Sequence, residues 1–172
     1  MASSKIFLGN QEFASESANV VSIHSATKFP AGMIIGVENT TTTTIVAKNN
    51  TTYETVISDS ITVKANSKVL INVSIPIAAN TDSTPAGGQI LQTGTASATI
   101  MAAREVMDEH HASSGGYFGG TFMSGVLSTA GSYTFSFQGN RLSGSGTVYF
   151  VSANPGSGSP SIATMTLYEI AG

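Results

Sequence analysis

The closing stretch of the chain, Ser161 to Ile170, reads S-I-A-T-M-T-L-Y-E-I and restricts the fold more than any other segment. Alternation puts Ala163, Met165 and Leu167 on one side of a strand and Ile162, Thr164, Thr166, Tyr168 and Ile170 on the other. Neither side is charged apart from Glu169, whereas a strand with one wet face carries Lys, Glu or Asp at alternate positions. Both faces are therefore expected to lie against protein. A sandwich of two antiparallel sheets buries only one face of each sheet, so the second covered face is expected to meet another copy of the chain.

The remainder supplies the other strands. In Lys68 to Ala78, Val69, Ile71, Val73, Ile75 and Ile77 share one face and Asn72, Ser74 and Pro76 the other; the proline implies that this strand is incompletely paired at its far end. Tyr133, Phe135 and Phe137 alternate with Ser132, Thr134 and Ser136. Shorter strands are expected at Met33–Val37, along the threonine run Thr40–Thr44 into Ile45-Val46, at Thr51–Ile57, Ser60–Lys64, Ala96–Ala103, Thr121–Leu127 and Thr147–Val151. Asn80–Gly88, with Pro85 and a Gly-Gly pair, reads as a loop, as does Arg104 to Phe122, with one helical turn compatible with A-A-R-E-V-M-D-E-H-H. Eight to ten turn-separated strands with almost no helix predict an all-β antiparallel β-sandwich of jelly-roll type.

The 172 residues suit one domain with an appended arm. Residues 29–172 form the sandwich in this reading. Residues 1–28 differ, with short apolar groups set among Ser, Asn, Gln and Glu: Ile6, Phe7 and Leu8, then Phe13, then Val20, Val21 and Ile23. Such a segment is either a loosely attached terminus or a docking arm, as a pair of strands or extended, that orders on a partner; so many large apolar side chains favour the arm. Charged residues make up only 10%, against about 25% in ordinary soluble domains, and the net charge of −3 offers no basic footprint for nucleic acid. No window reaches the length of a membrane span, and the first residues lack a secretory leader, so the chain is expected to be made in the cytoplasm. With no cysteine, disulfides and thiolate sites are excluded.

Candidate chemistry concentrates between residues 104 and 122. Glu105, Asp108, Glu109, His110 and His111 could ligate a divalent ion, but no H-x-x-x-H or H-E-x-x-H spacing supports a metal site and none is expected, nor any other cofactor. No G-x-S-x-G elbow occurs, and paired carboxylates on facing strands are too sparse for glycan cleavage, so no catalytic residue is assigned and the chain is not expected to be an enzyme. Arg104, His110, His111, Tyr117 and Phe118 remain a candidate ligand or receptor loop, with exposed aromatics available to stack on sugars.

The closing S-I-A-T-M-T-L-Y-E-I-A, the S-Y-T-F-S-F-Q and T-V-Y-F-V strands and the I-T-V-K-A-N-S-K-V-L-I-N-V-S-I-P-I block resemble the fibre, knob and head-decoration modules of tailed bacteriophages. Those modules in turn resemble the trimeric jelly rolls of tumour necrosis factor and complement C1q. The resemblance spans about Met33 to Gly172 and implies a homotrimer whose C-terminal strand faces the threefold axis through Ile162, Thr164, Thr166, Tyr168 and Ile170. It implies a virion protein on the capsid exterior, a decoration, cement or head-fibre protein held to the major capsid protein lattice by its arm. A receptor-binding tip contacting host-surface glycan is the alternative.

Overall fold

The computed structural model describes residues 5–8, 11–17, 20–23, 29–81, 84–107, 115–152 and 160–172. The chain divides into two compact units, Met1–Ala31 and Gly32–Gly172. The first holds three antiparallel strands, β1 (Lys5–Leu8), β2 (Gln11–Ser17) and β3 (Val20–Ile23), in the order β1-β2-β3. The apolar groups of the arm thus fall on strands, and of these residues only the backbone is described.

The second unit contains β4 (Ile34–Thr42), β5 (Val46–Lys48), β6 (Glu54–Val63), β7 (Lys68–Ala79), β8 (Ala86–Gly94), β9 (Ala98–Met107), β10 (Gly116–Met123), β11 (Gly131–Arg141), β12 (Val148–Phe150) and β13 (Ala163–Ile170). Every pairing is antiparallel. These ten strands lie on eight lines. β12 pairs with Ile77–Ala79 of β7 and β13 with Lys68–Ser74, and both run along the edge of β7 opposite β10. They are two parts of one strand line, and β4 and β5 follow that line on its far side. Sheet I is then β4/β5, β13/β12, β7, β10, and sheet II is β6, β11, β8, β9. In chain order sheet I takes the first, eighth, third and sixth lines and sheet II the second, seventh, fourth and fifth. That order is the wrap of a jelly roll, an all-β sandwich of two antiparallel sheets.

The proline of β7 accounts for the interruption of its neighbour. Phe150 stands opposite Ile77 and Thr164 opposite Ser74, so the pairing of this line with β7 is interrupted opposite Ile75 and Pro76. The Val151 N–H donates to the Pro76 carbonyl at 2.7 Å. In an antiparallel pair the reciprocal bond would run from the amide of residue 76 to the Val151 carbonyl, and proline has no N–H to give. The Ser161 N–H takes its place at 2.8 Å, beside the Ser152–Pro160 bridge. Val151 turns the chain there with φ of 66°.

The core lies between the sheets. Val69, Ile71, Val73, Ile75 and Ile77 on β7 and Tyr133, Phe135 and Phe137 on β11 are all at most 1% exposed. Each such aliphatic side chain contributes about 1.5–3 kcal/mol by leaving water. Phe137 of sheet II reaches across to Phe118 and Phe150 of sheet I, with ring centroids 5.4 and 6.1 Å apart. Both core strands expected from alternation form as read.

Three expectations about local structure are corrected. Residues 86–94, the first three of which read as loop, form β8, because Gly87 and Gly88 are there to make room: a Cβ on Gly88 would stand 2.8 Å from the Phe137 ring. The two strands expected at 51–57 and 60–64 are one, β6; Ser58 and Ser60 face water from the middle of it, and Asp59 opposes Phe135. Arg104–Met107 and Gly116–Gly120 are strand rather than loop, and no helical turn forms over Ala102–Met107.

Candidate functional site

Register determines what each outer sheet face presents, because paired residues share a face. Across sheet I, Val37 pairs with Tyr168, Tyr168 with Leu70 and Leu70 with Met123. This gives an apolar row four strands wide. Ile34 and Ile170 extend it on one side beside Lys68. On the other side come rows of uncharged polar groups: Asn39, Thr166, Asn72 and Thr121, then Thr41, Thr164, Ser74 and Gly119. Asn39 Nδ2 donates to Thr166 Oγ1 at 2.7 Å, tying the first of these rows to the closing strand. Beyond them stand Pro76, Tyr117 and Ile162. Lys68 is the single charged side chain among these positions.

Among the described residues seven large apolar side chains are exposed, and five of them, Ile34, Val37, Tyr117, Met123 and Ile162, lie on this face. Exposed apolar side chains gathered on one face, rather than scattered, are the general signature of interaction surfaces. The outer face of sheet II is different. There Ser60 and Thr134 share a hydrogen bond of 2.7 Å, and Gln89 Nε2 donates to Gln138 Oε1 at 2.7 Å. Ser58, Thr62, Ser132, Ser136 and Thr93 continue this surface of hydroxyls and amides, with the half-buried Leu91 opposite Ser136 as its apolar member.

The closing strand lies where its pattern requires. Ala163, Met165 and Leu167 are fully buried in the core. Thr164, Thr166, Tyr168 and Ile170 turn outward and are partly shielded, and Ile162 is 62% exposed. Glu169 belongs to the inner set and is 4% exposed. Its Oε1 accepts from the Lys64 N–H at 2.6 Å and from Ser67 Oγ at 2.7 Å, so the carboxylate is held by the turn joining β6 to β7. This role of Glu169 was not read from the sequence; a lone acid at an inward position of an otherwise apolar strand is the signal for it.

The candidate ligand loop separates into three groups. Phe118 points into the core at 7% exposed, whereas its neighbour Tyr117 faces out at 68%. The Arg104 guanidinium stands 5.6 Å from the Phe118 ring centroid and 6.0 Å from that of Phe122, covering the core where β9 and β10 flank the open side of the sandwich. His110 and His111, with Asp108 and Glu109, lie outside the described residues. Among the described residues no group of three His, Asp or Glu is close enough to hold a metal.

No family model matches the chain, and no curated protein is similar to it in sequence. Similar solved structures include the VP2 protein of infectious bursal disease virus in a subviral particle, at 12% identity and a TM-score of 0.47 over 91% of this chain and 41% of that one. The Gx strain of the same virus matches at 13% identity and 0.46, again over 91% and 41%. VP2 in derived T=1 particles matches at 12% identity and 0.47 over 91% and 40%. The chain spans about two fifths of the length of these proteins. The jelly-roll assignment stands on the strand order of this chain.

Proposed function

We propose that this chain is a virion structural protein, a trimeric decoration, cement or head-fibre protein of a tailed bacteriophage, fastened to the major capsid protein lattice by residues 1–28. The observation that carries the assembly step is the outer face of sheet I, with its apolar row Val37, Tyr168, Leu70 and Met123 and one charge beside it. Three copies packed about an axis through β13 would cover that row and leave the hydroxyl ladders of sheet II toward water. The resemblance of the strand blocks to phage decoration and knob modules supports placing such a trimer on a capsid exterior. The N-terminal unit, compact in itself, is what a fastening element requires. Three arms acting together raise affinity by roughly two to four orders of magnitude over one arm.

Removing residues 1–28 tests the assignment. Trimers by mass and loss of binding to capsids are expected; capsid binding that survives the deletion overturns it. A receptor-binding tip for host-surface glycan is the second reading, favoured by the exposed Tyr117 ring. It predicts that Tyr117→Ala lowers adsorption to cells while particle association is retained.

A further inference from the structure

Among the described residues, three of the four strand lines that border the two sheets carry devices that keep a bare edge from pairing with another chain. β4 bears Glu38 and its pairing shifts beside Ile170, and β5 on the same line is three residues long and ends on Lys48. β6 holds Asp59 on its inner side opposite Phe135 and is bulged beside Phe137. β9 carries Arg104 and Glu105, and its pairing with β8 shifts at three places. β10 has none of these. It runs through Gly116–Met123 without charge or proline and pairs with β7 in unbroken register, from Gly116 opposite Ile77 to Met123 opposite Leu70.

Two of the glycines of β10 have no task inside the chain. Neither Gly116 nor Gly119 has a positive φ. A Cβ would meet nothing within 4 Å at Gly116 and only the Val73 carbonyl oxygen, at 3.8 Å, at Gly119. Glycine weakens the interior of a strand, and where neither conformation nor internal packing requires it, it marks the close approach of another backbone or a ligand. The hydrogen bonding shows which side is open. The Ser124 N–H donates to the Val69 carbonyl at 2.9 Å, one position beyond the Met123–Leu70 pair, and backbone groups alternate in direction along a strand, so the even-numbered residues of β10 bond to β7. The N–H and C=O groups of Tyr117, Gly119, Thr121 and Met123 point out of the sheet edge, and among the described residues nothing pairs with them.

We propose that this edge pairs with the same edge of a second copy of the chain, antiparallel about a twofold axis through Gly119. Residues opposite each other share a face. In this register Phe118 faces Gly120 of the second copy and Phe122 faces its Gly116, while on the outer face Tyr117 meets Thr121 and Met123 meets Gly115. Each larger side chain then stands opposite a residue that leaves room for it, and Gly119 pairs with itself through its free N–H and C=O. Moving the axis by one residue either way sets phenylalanine against phenylalanine and glycine against glycine. A twofold contact brings every group near its own copy, and β10 has no charge to repel itself. The contact uses the edge of sheet I and not its face, so it does not rest on the trimer: it joins two trimers where these form and two single chains where they do not.

The chain has no cysteine, so an introduced thiol in the full-length protein reports the contact. Across a hydrogen-bonded antiparallel pair the Cα atoms lie about 5.5 Å apart, within the roughly 4.4–6.8 Å that a disulfide spans. Under mild oxidation in about 150 mM salt, which screens the Arg104 guanidinium beside Phe118 from its own copy, Gly119→Cys is expected to give linked pairs of chains on a denaturing gel about tenfold faster than Val126→Cys, exposed outside β10. Tyr117→Cys alone, out of register with its own copy, is expected to link no faster than Val126→Cys, whereas Tyr117→Cys/Thr121→Cys links as Gly119→Cys does. In the unaltered protein, amide exchange at Tyr117, Gly119 and Thr121 is expected to slow by about tenfold, the worth of one hydrogen bond, between about 20 μM and about 1 mM protein, with Phe118 and Gly120 unchanged. This second measurement decides the matter should a cysteine variant fail to fold. Linking of Gly119→Cys no faster than Val126→Cys, equal linking of Tyr117→Cys alone, or exchange at the odd-numbered amides that ignores concentration overturns the proposal.

Discussion

Glu169 and Gly88 show how single residues carry the fold without belonging to an apolar pattern. The Glu169 carboxylate holds the Lys64 N–H and the Ser67 hydroxyl, and Ser67 is itself 1% exposed. Glu169→Ala takes the acceptor from the buried Ser67 hydroxyl and is expected to cost about 1–3 kcal/mol in a urea melt, with Glu169→Gln costing less. Gly88→Ala would set a methyl 2.8 Å from both the Phe137 ring and Val106 Cγ1. Overpacking of this kind costs about 1–3 kcal/mol, and an unchanged midpoint would refute the close approach. Burial raises the Tyr53 phenol above its ordinary value. A raised folded value means that stability is complete below the unfolded pKa and is lost as pH climbs through the folded one, so a Tyr53→Phe variant is expected to resist alkaline unfolding better than the parent.

At the scale of elements, β7 organises the sheet it lies in. Its inward Val and Ile side chains fill the core, and Pro76 sets the place where the β12/β13 line leaves the sheet. Pro76→Ala would restore an N–H facing a carbonyl already taken by Ser161 and would loosen the unfolded chain; a loss of about 1–3 kcal/mol is expected with the strand order intact. That Pro76 lacks a donor was legible in the sequence, but the gap expected at the far end of the strand falls opposite Ile75 and Pro76, and the end itself, Ile77–Ala79, pairs with β12. The start of β8 was hidden for a different reason: its glycines look like turn formers, and only the rings and side chains packed above them reveal them as clearance. The Ser58-Asp59-Ser60 stretch misled in the same way. On a middle strand that triplet breaks a pattern, whereas β6 borders sheet II and tolerates it.

For the molecule as a whole, the two outer faces differ in kind, and the proposed association rests on that difference. Val37 and Met123 stand at the two ends of the apolar row and are 54% and 49% exposed. The double variant Val37→Glu/Met123→Glu is expected to shift the native mass from trimer toward monomer while the thermal unfolding of the domain stays close to the parent's, since neither site is in the core. A parent that is already monomeric, with Tyr168 reacting freely as an exposed phenol, would remove the basis for assembly. Association through so uncharged a surface is also expected to vary little between 50 mM and 500 mM salt, because screening acts on charges the face lacks.

Alternation along the chain determined by itself that the protein is all-β, which residues of β7, β11 and β13 turn inward, and that the closing strand has no charged face. Those properties depend only on odd and even positions and on the chemistry of each side chain. Strand register and order decided the rest: that Val37, Tyr168, Leu70 and Met123 form one row, that Tyr117 and Phe118 face opposite ways on a strand rather than sharing a loop, and that β10 borders its sheet. Each of these joins residues far apart in the chain, and no local pattern records which strand will become a neighbour.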